Sequence, residues 1–190
     1  MNRGFSLIEM LTCVAILIVL YAIAYPVFGL AENYSRRTAA ASNLHQLYLA
    51  VAMYRTDYGG DGDFGLPAQM GLPADVGAWP TPYVSFMANK SGFWKSPCGV
   101  NTQWFPSDPP PRITIVYRPS ADASYATYSQ LYRENSVLFK DYNCDDNDAP
   151  FENKYVNHRG IGVLLEGRLV SPYKPGLMES DEWWSTPQER

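Results

Sequence analysis

The sequence predicts an α+β protein in which a long N-terminal helix packs by its second half against a small antiparallel sheet. Three observations lead to this prediction. An apolar run without any charged side chain extends from Met10 to Leu30. The next segment, Ala31 to Arg55, has no proline or glycine, and its apolar residues recur at three- and four-residue steps, as in an amphipathic helix. Beyond residue 59, short β-branched and apolar runs alternate with proline- and glycine-rich stretches, which indicates strands joined by loops.

The apolar run is long enough to cross a membrane. A spanning helix needs about 20 predominantly apolar residues, and Met10 to Leu30 supplies them. Arg3 precedes the run and favours a cytoplasmic N-terminus, because basic residues tend to stay on the cytoplasmic side. We therefore expect a single-pass membrane protein whose globular part lies on the opposite side.

One carboxylate, Glu9, stands at the N-terminal edge of this run. A charged side chain inside the bilayer costs about 2.5–3.5 kcal/mol or more, so Glu9 requires a partner. Pro26 lies within the run and removes one backbone donor, which predicts a point where the helix bends or is weakened.

The second part of the predicted helix carries one apolar stripe. It consists of Leu44, Leu47, Val51, Tyr54 and Tyr58, and the pair Gly59-Gly60 ends the pattern. The predicted organisation is therefore a leader at 1–4, a transmembrane helix at 5–30, its amphipathic continuation at 31–58 and a globular domain at 59–190.

Residues 4–11, which read GFSLIEML, resemble the type III signal of type IV pilins and type II secretion pseudopilins. The resemblance implies that a prepilin peptidase cuts between Gly4 and Phe5 and methylates the new N-terminus at Phe5. It identifies Glu9 as the intramembrane glutamate used in assembly, and Pro26 falls where many family members carry a helix-distorting proline. The Phe5 amine made by cleavage lies four residues from Glu9, so it can pair with that carboxylate in the same subunit or in a neighbour.

The resemblance also implies a function and partners. We expect a structural subunit without catalytic activity, anchored in a bacterial cytoplasmic (inner) membrane and then polymerised with other pilin or pseudopilin subunits by an ATPase and a membrane platform protein. The helix end Tyr54-Arg55-Thr56-Asp57-Tyr58-Gly59 is similar to that of major pseudopilins, in which a tyrosine, an acidic residue and a glycine lead into a loop with a proline. This similarity favours a type II secretion pseudopilus that drives protein export. A type IV or competence pilin of a surface filament is the alternative. A membrane-anchored binding or enzymatic domain with a pilin-like leader is the alternative from another class.

Composition limits the other classes of function. The chain has 190 residues and a net charge of −4, which argues against an extended nucleic-acid surface. Its 14 tyrosines, 15 prolines and 14 glycines suit a loop-rich domain held by aromatic packing. Cys98 and Cys144 both fall in the predicted extracytoplasmic part, where a disulfide is the natural pairing, although two reduced thiols remain the alternative.

The acidic cluster after Cys144 is one candidate site. Some major pseudopilins bind calcium in a C-terminal loop, so the resemblance implies Asp145, Asp146 and Asp148 as possible Ca²⁺ ligands. Solvated turn residues are the competing interpretation, and we expect no other cofactor.

The segment from His158 to Glu166-Gly167 is similar to a pilin-like subgroup that ends in a histidine, about nine residues, and then Asp-Gly. Here the spacing is seven and the acid is glutamate. Asp141, His158 and Glu166 also form a possible catalytic or metal-binding trio, but no nucleophile or second histidine accompanies them.

Strands are predicted where β-branched and apolar residues cluster. These segments are Ile113–Tyr117, Val137–Phe139, Gly162–Leu165 and Arg168–Val170, and a short helix is predicted at Tyr83–Asn89. Glu166-Gly167 is a two-residue connection typical of a hairpin. Tyr125–Tyr132 does not decide between helix and strand, and the tail from Ser171 to Arg190 is predicted to be a loose or partner-covered end.

Overall fold

The computed structural model describes residues 7–60, 62–73, 95–99, 115–119, 123–145, 153–178 and 180–185. The chain divides into two compact units, Met1–Arg36 and Arg37–Arg190. Helix α1, Leu7–Tyr58, runs through the division and includes Pro26 without an interruption of the helix. The predicted leader, the predicted helix at Tyr83–Asn89 and residues Ile113 and Thr114 lie outside the described residues.

The first unit contains the apolar part of α1. Five consecutive residues, Ile16 to Leu20, each have between 58% and 64% of their surface exposed. Because an α-helix makes one turn in 3.6 residues, five consecutive exposed side chains cover its whole circumference. The helix is therefore apolar and exposed on every side in this part. Glu32 and Arg36, one turn apart, form an ion pair at 2.6 Å near the end of the unit.

In the second unit, α1 buries one face. Ala40, Leu44, Leu47 and Val51 are buried in the same core as the sheet residues, which confirms most of the predicted stripe. The stripe ends earlier than predicted, because Tyr58 is 68% exposed and only stacks on Tyr54, with ring centroids 4.3 Å apart.

The main sheet has four antiparallel strands. In chain order the strands are β1 (Val116–Tyr117), β2 (Val137–Asp141), β3 (Asn157–Arg159), β4 (Ile161–Leu164), β5 (Leu169–Val170) and β6 (Tyr173–Pro175). The order β1-β2-β4-β5 forms the main sheet, while β3 and β6 form a separate two-stranded ribbon. Together with α1 these sheets make an α+β fold, as the sequence predicts.

The predicted hairpin is present between β4 and β5. Its turn covers Leu165–Arg168, so Arg168 belongs to the turn and not to a strand. Gly167 has a φ of +91°, which glycine adopts without steric cost, and its N–H donates to Leu164 O at 2.9 Å. The hydrophobic and turn signals therefore identify the hairpin, but not its exact turn length.

The tyrosine-rich segment is a helix, α2 (Ala123–Tyr132), followed by a 3-10 turn at Arg133–Asn135. Two of its tyrosines fasten it to β2. The hydroxyl of Tyr125 donates to Val137 O at 3.1 Å, and Val137 N–H donates to the hydroxyl of Tyr128 at 2.9 Å. Burial raises the pKa of both tyrosines, which keeps the hydroxyls protonated in these contacts.

The prediction of a loose C-terminal tail is wrong for the described part of that segment. It forms β6 and a short helix, α3 (Asp181–Trp184), in which Trp183 and Trp184 are only 5% and 3% exposed. Trp184 Nε1 donates to Met178 O at 2.7 Å. Gly160 leaves the space for this ring, since a Cβ there would lie 2.1 Å from Trp184 Cη2. Two large apolar rings gain enough from burial to order the segment.

Candidate functional site

The apolar part of α1 is the first candidate functional element. Among the described residues, α1 is the one helix long and apolar enough to cross a membrane, with a mean hydropathy of 2.5 in its most apolar window. None of that window is buried within the protein. Length and composition of this kind are shared by membrane anchors and signal sequences, so the element fits either role.

The structure describes only some of the residues predicted for processing and assembly. Glu9 lies in the first turn of α1, and its carbonyl oxygen accepts a hydrogen bond from Thr12 Oγ1 at 2.9 Å. Gly4 and Phe5, the predicted cleavage and methylation residues, lie outside the described part of the chain. The roles of Gly4, Phe5, Glu9 and Pro26 therefore stay predictions.

The second unit contains the disulfide. Cys98 and Cys144 are bonded, with their Cα atoms 5.1 Å apart, so the predicted pair is present in the structure. Cys144 is 3% exposed, whereas Cys98 is only half-buried and is followed by the exposed Gly99. Cys13 is an exposed, free cysteine in α1.

A buried carboxylate faces this disulfide. Asp141, at the end of β2, is fully buried, and its Oδ2 lies 3.9 Å from Cys144 Sγ. Its Oδ1 accepts hydrogen bonds from the backbone N–H and the side-chain amide of Asn143, at 3.0 and 2.8 Å. Burial raises the pKa of Asp141, and the hydrogen bonds from Asn143 and Ser96 offset only part of that rise.

The predicted calcium cluster is engaged differently from the prediction. Asp145 Oδ2 lies 2.6 Å from His158 Nδ1, and Asp145 Oδ1 accepts the Arg159 N–H at 3.0 Å. Asp146 and Asp148 lie outside the described residues. Within the ranges that are described, no three His, Cys, Asp or Glu side chains are grouped closely enough to hold a metal ion. The calcium site therefore stays a prediction, and Asp145 has a protein partner that competes with a cation.

The possible trio of Asp141, His158 and Glu166 is not assembled. His158 contacts Asp145 and Asn153 O, the latter through Nε2 at 3.1 Å. Glu166 pairs with Arg168 at 2.6 Å on the exposed hairpin turn. Asp141 contacts Asn143, Ser96 and the disulfide instead, so each member has its own local partners.

A second ionic group was not predicted from sequence. Lys140 is 1% exposed at the side chain and forms an ion pair with Asp181 of α3. Asp181 also accepts from Arg118 Nε, at 2.8 Å to Oδ1 and 2.7 Å to Oδ2. In the sequence, Lys140 follows an apolar run, a position typical of the exposed end of a strand. Its ion pair with Asp181 is a tertiary contact, and no sequence pattern indicates it.

Comparisons with known proteins add no relative. No protein-family model, no curated protein and no solved structure matches this chain significantly. The resemblance to prepilins stays a prediction from the sequence, based on residues 4–11, on the helix end from Tyr54 to Gly59 and on weaker motifs toward the C-terminus.

Proposed function

We propose that this chain is a prepilin-like structural subunit that polymerises into a type II secretion pseudopilus and so drives protein export. The prepilin peptidase cuts between Gly4 and Phe5 and methylates Phe5. The processed subunit stays in the bacterial inner membrane as a single-pass protein until an ATPase and a platform protein add it to the filament.

The observation that carries the proposal is the apolar circumference of α1 in the first unit. Soluble monomers rarely expose contiguous apolar patches of more than about 300–600 Å². A helix whose side chains from Ile16 to Leu20 are all more than half exposed needs lipid or other apolar helices around it. Membrane insertion and then bundling with copies of itself provide both environments in turn.

Glu9 restricts how neighbouring helices align along this apolar surface. A charged carboxylate in lipid is costly, and cleavage creates a positive charge close to Glu9, the amine of Phe5. Pairing across subunits removes the cost only when the two helices are correctly aligned. The ion pair therefore contributes to which subunit fits beside which, more than to net stability.

The surface-filament alternative uses the same parts. A type IV or competence pilin would also be cleaved, methylated and polymerised through its N-terminal helix. Deletion of the gene separates the two: a pseudopilin deletion abolishes export of folded proteins, whereas a pilin deletion abolishes long fibres and the adhesion, motility or DNA uptake that depend on them.

Substitution of Glu9 tests assembly against simple anchoring. In Glu9→Val we expect normal cleavage at Gly4–Phe5 but loss of incorporation into sedimentable filaments, measured by cross-linking and N-terminal sequencing of the membrane fraction. Glu32→Gln is the matched control, because Glu32 lies beyond the apolar run and pairs with Arg36 on an exposed surface. Wild-type incorporation of Glu9→Val would favour a membrane-anchored domain with a borrowed leader.

A further inference from the structure

We propose that the Cys98–Cys144 disulfide is a thiol-exchange site, in which an incoming thiolate attacks Cys98 and Asp141 supplies the proton to the departing sulfur of Cys144. This inference is independent of the proposed role in a filament. It rests on the unequal exposure of the two cysteines and on the placement of a buried carboxyl group against the sulfur of Cys144.

The exposure of the two cysteines assigns their roles. A thiolate must approach the sulfur that it attacks, and it displaces the other sulfur of the bond. Cys98 is half-buried and lies between the exposed Lys95 and Gly99, whereas Cys144 is 3% exposed. Cys98 is therefore the more accessible of the two cysteines, so we assign it as the attacked sulfur and Cys144 as the leaving group.

Asp141 occupies the position of a proton donor to that leaving group. Its Oδ2 lies 3.9 Å from Cys144 Sγ, close enough for a hydroxyl proton to reach the sulfur after a small movement. Its other oxygen, Oδ1, accepts both hydrogen bonds from Asn143, and the Ser96 side chain also hydrogen-bonds to the carboxyl group.

The surroundings of Asp141 favour its protonated form. The groups that contact it in the described part of the chain are the neutral side chains of Ser96 and Asn143 and the sulfur of Cys144. A buried carboxylate without a cation is costly, so burial raises the pKa of Asp141 above its ordinary value, and the group keeps its proton to a higher pH than an exposed aspartate does.

The exchange balances with a small thiol as the reductant. The thiolate sulfur bonds to Cys98 Sγ as the bond between Cys98 and Cys144 breaks, and the electron pair of that bond goes to Cys144. The Asp141 proton moves to the Cys144 thiolate, which leaves a carboxylate that is reprotonated from solvent. A second thiolate then attacks the mixed disulfide, releases the oxidised thiol, and leaves Cys98 as a thiolate that takes a proton from water.

The test measures reduction of the full-length protein in detergent by glutathione, with thiols quantified after alkylation. We expect reduction to be faster than global unfolding, and mass spectrometry to find glutathione on Cys98. In Asp141→Asn the rate per thiolate should fall by about tenfold or more, because the proton donor is lost. The wild-type rate per thiolate should also decline with rising pH as Asp141 ionises, and this decline should be absent from Asp141→Asn.

Asn143→Ala is the matched control. It removes a donor to Asp141 Oδ1 and loosens the same turn, but it keeps the carboxyl group, so we expect an unchanged or faster reduction. Equal rates in wild type and Asp141→Asn would overturn the proposal. Glutathione on Cys144, or wild-type reduction no faster than unfolding, would also overturn it, and these two results do not depend on whether Asp141→Asn folds.

Discussion

His158 Nδ1 lies 2.6 Å from Asp145 Oδ2, and both side chains are almost fully buried. The other ring nitrogen, Nε2, faces Asn153 O at 3.1 Å. A carbonyl oxygen only accepts hydrogen bonds, so Nε2 carries a proton. Nδ1 makes the other hydrogen bond of the ring, to the carboxyl group of Asp145. The pair joins the loop after β2 to β3, across thirteen residues of sequence.

Breaking this pair is expected to destabilise the second unit. Asp145→Asn should lower the free energy of unfolding by about 1–3 kcal/mol, because it replaces a charge-assisted acceptor of His158 and Arg159. Chemical denaturation of the full-length protein in detergent measures the loss. Glu166→Gln is the control: its partner Arg168 is 53% exposed at the side chain, so we expect less than about 1 kcal/mol. Equal losses in the two variants would contradict a structural role for the buried pair.

The same variant tests the calcium prediction. If Asp145 acts only through His158 and Arg159, the destabilisation of Asp145→Asn is the same in excess Ca²⁺ and in chelator. A calcium site at Asp145, Asp146 and Asp148 would instead make the wild type more stable in Ca²⁺, and Asp148→Asn would abolish that gain. Thermal unfolding at matched ionic strength separates the two outcomes.

Asp181 is expected to fasten α3 to the sheet. Asp181→Ala leaves Lys140 buried without its carboxylate and should cost about 3–5 kcal/mol of unfolding free energy. Lys140→Met should cost less, because an apolar side chain of similar length suits the buried site. The double variant should therefore be more stable than Asp181→Ala alone. A double variant that is less stable than Asp181→Ala would show that the uncompensated lysine is not the cause.

The raised pKa of Asp141 predicts that the stability of the protein depends on pH. Its folded pKa is raised above the ordinary value of 3.8, so between these two values the folded protein binds more protons than the unfolded one. The contribution of Asp141 to the unfolding free energy therefore falls as pH rises through this window. We expect the free energy of unfolding of the wild type, minus that of Asp141→Asn, to decrease as the pH rises above about 4. Urea denaturation at a series of pH values measures this difference. A difference that grows with pH would mean that the ionised form is the stabilised one.

The packing of the C-terminal tryptophans is tested by a single methyl group. Gly160→Ala places a Cβ 2.1 Å from Trp184 Cη2, and such overpacking costs about 1–3 kcal/mol or more. Gly29→Ala is the control, since nothing lies within 4 Å of a Cβ there. Intrinsic tryptophan fluorescence and denaturation report both effects. An unchanged Gly160→Ala protein would show that Trp184 of α3 is not packed against Gly160, between β3 and β4.

Local and periodic signals in the sequence account for what was predictable. The apolar run, the stripe at Leu44, Leu47 and Val51, and the hairpin turn at Gly167 each depend on residues close together in the chain. The disulfide was predictable because Cys98 and Cys144 are the two cysteines that follow the predicted membrane helix, although the sequence alone also allowed two reduced thiols. These features give the α+β class without any knowledge of tertiary contacts.

Long-range partners account for what was missed. The contacts of Asp145 with His158 and of Lys140 with Asp181 join distant segments, and no spacing rule relates their positions. The acidic residues around Trp183 and Trp184 predict a loose tail, yet Asp181 pairs with the buried Lys140 and the partly exposed Arg118 and so supports the burial of both rings. Tertiary packing decided these positions, and local propensity did not.

The most direct test of the central claim is mass spectrometry of the N-terminus of the protein purified from its native membrane. The proposed subunit begins at Phe5 and carries one methyl group on its α-amine, because the prepilin peptidase performs both steps. A protein that still begins with Met1 to Gly4, or begins elsewhere without methylation, would contradict the assignment to the prepilin-like subunits.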